Sequence, residues 1–314
     1  MVQVAIVGAG MAGVACARAL ADAGLSPLLV DRERLIGGRL GGLAGDGGRH
    51  DAGAQYFTAQ DAGFQRLTDL WVQGGQAAPW QARTADPPPR PRFVGVPAMA
   101  SIVEVQARGL PMSASTLVER LERHHGRWQL SDSQRSIGRF DAIVLAIPPA
   151  DARQLLPSHP LLAELNHVRL DPCWSLAVTF ERPLPLALDV IEPRDKRISF
   201  AARSGSKPGR SPVETWTIHA SGGFSADHRL TPPQVTTMLM LDRLAMLIGT
   251  ALPAVASSRT RFWPNSRVVR AAGEPCIGYT GTKLFLAGDW CIGPRVEAAW
   301  LSGRAAAAAL LAAL

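Results

Sequence analysis

The chain is 314 residues long and short of lysine, tyrosine and cysteine. Lysine occurs only at Lys196, Lys207 and Lys283, so arginine supplies nearly all of the 33 basic residues. Against 26 acidic residues they leave a net charge of +7. An arginine-rich composition explains that balance, as does a surface or pocket that attracts an anionic ligand; nucleic-acid binding is also compatible with it. The four cysteines, Cys16, Cys173, Cys276 and Cys291, form no C-x-x-C pair and no Cys/His set at zinc spacing. That excludes a zinc module, predicts no metal and suits a reducing compartment. With two tyrosines, Tyr56 and Tyr279, a two-tyrosine cage around an amine is restricted to that pair unless tryptophan or phenylalanine stands in. No apolar run reaches the roughly 18 residues of a membrane span; the best candidate, 235–252, contains Asp242 and Arg243. The N-terminus lacks the basic and long apolar regions of a signal peptide. A soluble, cytoplasmic protein is expected, and 47% hydrophobic residues exclude whole-chain disorder.

What is present is a β-α-β beginning. Residues 2–7 are apolar on both faces, as a buried parallel strand should be. Gly8-x-Gly10-x-x-Gly13 follows, then a helix over 14–23 and a second strand at 28–30 ending on Asp31. Gly8 permits the tight turn, Gly10 lets a pyrophosphate approach the backbone, and Gly13 lets helix and strand pack closely. The helix start, Met11 and Ala12 included, then offers free N–H groups to the phosphates. Asp31 can accept from ribose hydroxyls, with Arg32 beside it. Strand, helix and acid in these places predict dinucleotide binding. No second glycine fingerprint exists, so a separate nicotinamide-dinucleotide domain is not expected.

Farther along, glycines crowd 37–53, a short helix fits 61–72, and the Pro- and Arg-rich 83–97 reads as loop. Strands fit 118–121, 127–130 and the apolar 141–147. The middle reads as more antiparallel, with strands at 174–180, 197–202 and 215–220 and a helix over 231–249. A last apolar strand at 283–287 precedes Gly288-Asp289-Trp290 and a helix from Arg295 to the end. These elements predict an α/β fold: a Rossmann-like domain of 1–58, 104–150 and 271–314, and an inserted α+β substrate domain of 59–103 and 151–270 with an antiparallel sheet.

Gly37-Gly38-Arg39 and Leu286-Ala287-Gly288-Asp289 with Arg295-Val296-Glu297-Ala298-Ala299 resemble FAD oxidoreductases of the amine-oxidase class. There the arginine lies beside the pyrophosphate, the aspartate bonds the ribityl or phosphate part, and the last helix aims its N-terminus at the flavin N1–C2=O edge. His50-Asp51-Ala52-Gly53-Ala54-Gln55-Tyr56-Phe57, Phe93-Val94-Gly95-Val96-Pro97, Asp171-Pro172-x-Trp174, Ser206-Lys207-Pro208, Trp216-Thr217-Ile218-His219 and Gly288-Asp289-Trp290-Cys291 resemble the bacterial renalase group. The resemblance spans nearly the whole chain. It implies a p-hydroxybenzoate-hydroxylase-like fold with non-covalent FAD. The implied activity is oxidation of 2- or 6-dihydronicotinamide dinucleotides, with O2 reoxidising the flavin to give hydrogen peroxide. It implies FAD contacts at Gly8, Gly10, Gly13, Asp31, Arg39, Asp289 and Val296, backbone contacts from Val118 to the adenine, and Gln55 and Tyr56 near the isoalloxazine. Departures are His50 for an apolar residue, Phe224 for tryptophan and Ala299 for glycine.

On the substrate side the candidates are Trp290, Trp216, His219 and Tyr56; a core position accounts equally well for Trp290, and a structural histidine for His219. The basic stretch Arg194, Lys196, Arg197, Arg203, Lys207, Arg210 reads either as a solvated loop or as a rim attracting phosphate. A dihydronicotinamide needs no general base, only orientation. The rival readings are another flavin amine oxidase or desaturase, and a non-catalytic FAD- or nucleic-acid-binding protein. The expected partners are a small-molecule substrate and O2, with no nucleic acid or membrane, and a monomer.

Overall fold

The computed structural model describes residues 2–45 and 48–314; Asp46 and Gly47, in the glycine-dense stretch, lie outside the described residues. The chain packs as two compact units. One comprises Met1–Gly38, Val103–Leu170 and Val268–Leu314, the other Arg39–Ile102 and Asp171–Arg267. These borders differ from those expected. Residues 39–58 pack with the second unit rather than with the dinucleotide fold. Residues 151–170 pack with the first, because Leu155, Leu156, Leu161 and Leu165 enter its core.

The first unit is built on a six-stranded sheet. Val4–Val7, buried on both faces, lies at its centre between Leu28–Val30 and Ala142–Leu145, parallel to both. Leu284–Leu286 and Met112–Ser113 extend the parallel order on either side, and Ile277–Tyr279 closes one edge antiparallel. The chain leaves Val4–Val7 for one neighbour and returns from far along the sequence to the other. The strand order therefore reverses at its carboxyl end, where open α/β sheets bind ligands. The first helix, Met11–Asp22, packs on the last, Val296–Ala312, at Gly303, where a Cβ would lie 2.0 Å from the Ala12 carbonyl oxygen. Arg120–His124, Arg127–Ser131 and Ser136–Phe140 form a separate antiparallel sheet. The strand expected at 118–121 thus starts at Arg120, with Val118 just before it.

The second unit carries the antiparallel sheet, in the order Val190–Ile191, Ile198–Arg203, Thr215–Ala220, Arg169–Phe180, Val255–Arg270. The helix Pro233–Ile248 begins with proline, which has no N–H to leave unbonded, and ends on Gly249 at φ +70°, a conformation glycine adopts without strain. Its Met240 and Leu244 join the same buried cluster as Trp174, Leu176, Trp216 and Ile218. Ala62–Gln73 is capped by Asp61, whose Oδ1 accepts from the Gly63 and Phe64 amides. The expected loop 83–97 contains a strand, Phe93–Gly95, paired with Ala77–Pro79. Val255–Arg270, unread in the sequence, is a mostly exposed edge strand whose arginines hide the apolar alternation of a strand. Among the described residues no helix is long and apolar enough to cross a membrane.

Candidate functional site

In the first unit the site begins at the end of Val4–Val7. Gly8 sits at φ +104°, and a Cβ there would lie 2.4 Å from the Ala146 carbonyl oxygen. A Cβ on Gly13 would lie 1.8 Å from the Gly8 oxygen. At Gly10 it would meet nothing within 4 Å. The turn is thus closed on two sides and open at the middle glycine. No side chain caps the helix Met11–Asp22, so the first-turn amides of Met11, Ala12 and Gly13 keep the orphan donors of a helix start. These features fit a pyrophosphate. Asp31 is held by the same backbone: its Oδ2 accepts from the Ala9 amide at 2.5 Å and its Oδ1 from Glu33 at 2.8 Å. Each oxygen retains a lone pair for a ribose hydroxyl.

Remote segments converge on this turn. The Gly37 amide donates to the Ala9 oxygen at 3.0 Å, and Gly38, at φ +54°, would bring a Cβ within 3.3 Å of the Gly10 Cα. Thr116 N donates to the Asp31 oxygen at 2.8 Å, which lays the segment leading to the buried Val118 alongside the acid. Arg32 is exposed, its Nη1 3.4 Å from Asp151 Oδ2. Arg39 falls in the second unit, where its Nη1 donates to the Ser266 oxygen at 2.9 Å.

The C-terminal motif packs within the first unit. The Gly288 amide donates to Ser302 Oγ at 3.0 Å, and Asp289 is buried. Arg295 precedes the last helix and pairs with the buried Glu297 at 3.1 Å; Ala298 is buried and Val296 half-buried. Trp290 corrects an expectation. It is 1% exposed, lies in the unit's core, and donates its Nε1 hydrogen to the Ile147 oxygen at 3.1 Å. With its polar atom satisfied and no surface accessible, it serves packing and not a substrate face.

In the second unit the segment from Asp51 to Tyr56 is held on all sides. Asp51 Oδ1 accepts from the Met99 amide at 2.9 Å, and its Oδ2 accepts from Lys207 Nζ at 3.3 Å and Arg210 Nη2 at 2.8 Å. Lys207 Nζ also donates to Gln55 Oε1 at 2.8 Å, while Gln55 Nε2 donates to the Asp51 and Gly53 oxygens. The Ala54 amide donates to the Arg39 oxygen, and Trp263 Nε1 to the Ala52 oxygen. Burial pushes the Asp51 carboxyl up, but Lys207 and Arg210 outweigh it and hold it below its ordinary value. Burial pulls the Lys207 ammonium down to about 8, against the pull of Asp51. Gln55, expected at the isoalloxazine, has its side-chain amide engaged inside the unit and is 4% exposed. Sequence reasoning missed this charge group. Lys207 is one of three lysines in an arginine-rich chain, and nothing in its neighbourhood of sequence marks it as the one that turns inward.

Tyr56 is half-buried, with the Arg92 guanidinium 4.3 Å from its ring centre and Trp80 and Phe200 at 6.3 and 6.0 Å. Burial raises its phenol. Beyond Phe200, at 6.0 Å, is His219, hydrogen-bonded to the Ala52 backbone and with no partner on Nε2. Burial, helped by the Lys207 charge, lowers its imidazole to about 4 and keeps it neutral. Trp216 is a second correction: it is fully buried in the unit's core, and its Nε1 donates to Glu214 Oε1 at 2.8 Å. Nor is the basic stretch a continuous rim. Arg203 pairs with Asp189 and Glu214, and Lys207 and Arg210 turn inward to Asp51, which leaves Arg194, Lys196 and Arg197 exposed.

Residues 6–73 match the NAD(P)-binding Rossmann-like domain, and residues 96–311, more than half the chain, match the flavin containing amine oxidoreductases. The chain belongs to the flavin-containing amine oxidoreductase family. The fold recurs in solved structures of that kind. Cyclohexylamine oxidase from Brevibacterium oxydans IH-35A superposes with a TM-score of 0.73 at 17% identity over 98% of each chain. A redesigned putrescine oxidase gives 0.73 at 13% identity over 99% of each chain. A protein from Exiguobacterium sp. 255-15, provisionally assigned as a protoporphyrinogen oxidase, gives 0.73 at 14% identity over 98% of each. Membership in this flavin family, together with the Rossmann domain, makes the protein a flavin-dependent oxidoreductase and implies FAD as its cofactor.

Proposed function

We propose that the chain is a renalase-like FAD oxidase that takes a hydride from 2- or 6-dihydronicotinamide dinucleotides and returns NAD(P)+. The carrying observation is the state of the ionisable groups in the second unit. Asp51 is ion-paired to Lys207 and Arg210, Lys207 is engaged with Asp51 and Gln55, burial lowers the His219 imidazole to about 4, and burial raises the Tyr56 phenol. Asp51, His219 and Tyr56 are not poised to take a proton at neutral pH, and the Lys207 ammonium is committed to Asp51 and Gln55. A dihydronicotinamide asks for no proton acceptor, because its ring nitrogen supplies the electron push and the site has only to orient the donor carbon. FAD, when bound, supplies hydride acceptance at N5 and passes the electrons to O2, giving hydrogen peroxide.

In this reading the first unit holds FAD and the second faces the substrate. Gly8, Gly10 and the amides of Met11, Ala12 and Gly13 hold the pyrophosphate, with Gly38 adding to it. Asp31 holds the ribose, with Arg32 beside it, and the Val118 backbone meets the adenine. Gly288, Asp289 and the start of the last helix, Arg295 to Ala298, serve the ribityl–flavin end. Attachment is non-covalent: burial raises the Cys291 thiol to about 12 and raises Cys276, which keeps both from acting as thiolate nucleophiles. Four free thiols suit a cytoplasmic setting.

Oxidation of a small amine is the second reading. The grouping of Tyr56, Trp80 and Phe200 favours it, since aromatic faces attract ammonium groups. Anaerobic mixing with borohydride-generated NAD(P)H isomers separates the two. Bleaching of the bound flavin by the isomers and not by simple amines is expected; the opposite pattern overturns the proposal.

A further inference from the structure

We propose that Arg92 is the specificity-determining residue of the second unit: its guanidinium occupies a face of the Tyr56 ring that a substrate ammonium would take, and so reserves this aromatic group for an uncharged ring. This rests on the reading that Tyr56 lies on the substrate side. Arg92 is set in place by backbone pairing. Its carbonyl oxygen accepts from the Trp80 amide at 2.8 Å. The next residue, Phe93, exchanges two hydrogen bonds of 2.8 Å with Phe57, the residue after Tyr56. The Arg92 side chain is 6% exposed, and its guanidinium carbon lies 4.3 Å from the Tyr56 ring centre. That is well inside the roughly 6 Å reach of a cation over an aromatic face.

A second ring of the group is taken in the same way. The buried Lys207 Nζ lies 5.4 Å from the Trp80 ring centre. Aromatic faces attract cations, and here the chain itself supplies them. The Arg92 charge is only partly answered. Its Nη2 is 3.0 Å from Glu192 Oε2, but Nη1 has no partner, and the Glu192 side chain is 45% exposed, so water weakens the hold of the carboxylate. An ammonium arriving beside Tyr56 therefore meets a guanidinium where it needs a bare ring face, and like charges in a partly buried setting repel. An uncharged ring meets no such repulsion. A dihydronicotinamide ring is uncharged and its oxidised form is a cation, so the residue that disfavours amines also favours release of that product.

The test is calorimetric titration of the FAD-loaded protein at neutral pH with nicotinamide, which is uncharged, and with 1-methylnicotinamide and benzylamine, which are cations. Nicotinamide is expected to bind wild type at least about tenfold more tightly than either cation, the weight of one pair of like charges held close and partly screened. In Arg92→Met, which keeps the length of the side chain and drops its charge, the ratio of cation Kd to nicotinamide Kd is expected to fall about tenfold. Arg92→Lys keeps the charge and should keep the ratio within threefold of wild type. Glu192→Gln removes the half-exposed partner and leaves Arg92 unopposed, so the ratio should rise. A merely structural role for Arg92 does not move the ratio in opposite directions in these two variants. The proposal is overturned if either cation binds wild type as tightly as nicotinamide, or if no probe binds wild type or Arg92→Met. It is also overturned if the ratio in Arg92→Met, or in Glu192→Gln where Arg92→Met does not fold, matches wild type. The fate of the functional reading is separate. Arg92-dependent discrimination in a protein whose flavin dihydronicotinamide isomers leave oxidised keeps the specificity assignment and removes the renalase-like reading. Isomers that reduce the flavin of a protein without that discrimination do the reverse.

Discussion

At the glycine turn of the first unit, nearly every contact is backbone to backbone, and side chains matter by being absent: Gly8 and Gly13 are closed in by carbonyl oxygens, and Gly10 is open. Around Asp51 in the second unit the reverse holds. A carboxylate, an ammonium, a guanidinium and an amide, drawn from positions up to 159 residues apart, tie down one short stretch of chain. A backbone site is specified by which residues lack a Cβ, and it tolerates change wherever space is open. A buried charge group is specified by mutual pairing, and losing one partner strands the others.

Four substitutions probe that contrast, from the largest expected effect down. Asp51→Asn leaves Lys207 and Arg210 buried without their carboxylate. A loss of about 3–5 kcal/mol is expected in urea unfolding, the range for breaking a buried ion pair from one side. Retention of wild-type stability would show the group to be dispensable. Gly13→Ala drives a methyl against the Gly8 oxygen, a backbone atom that cannot swing away. The expected loss is roughly 1–3 kcal/mol, together with weaker FAD binding than wild type in a reconstitution titration.

His219 tests the second unit through pH. The unfolded imidazole takes a proton near 6.5 and the folded one near 4, so stability falls as pH drops below 6.5. Between pH 7 and 5 this amounts to about 2 kcal/mol at 1.36 kcal/mol per pH unit. In His219→Gln the slope over that window should flatten by that amount. Gly10→Ala should change the stability of the FAD-free protein least, by under about 0.5 kcal/mol, since its methyl meets no protein atom. It should nonetheless weaken FAD binding about tenfold. Unchanged FAD affinity there would break the assignment of the turn to a pyrophosphate.

The contrast also explains how far the sequence could be read. The strands Leu28–Val30 and Thr215–Ala220 and the helices Ala62–Gln73 and Pro233–Ile248 were legible to within a residue or two, because apolar periodicity, Asp61 and Gly249 are local signals. The edge strand Val255–Arg270 was not, because a strand paired on one side has little to bury and shows no apolar alternation. Gly8, Gly10, Gly13 and Asp31 were legible because the turn, its helix and its acid fall within one short β-α-β unit. Trp290 stayed open between the substrate side and a core position, and Trp216 was placed on the substrate side; the accessible surface is what puts each in a core. Lys207 sat in a basic run that read as solvated or phosphate-facing, and nothing local marks which lysine turns inward.

By itself, then, the sequence determined the parallel α/β core, the dinucleotide turn and the interleaving of two units, all of which depend on short-range periodicity and on where glycine permits close approach. Only the tertiary structure decided that Asp51, Lys207, Arg210 and Gln55 form one buried group, that residues 39–58 belong with it, and that the tryptophans are packing. Charge pairing and burial depend on distance in space, and in this chain the paired residues lie more than 150 positions apart.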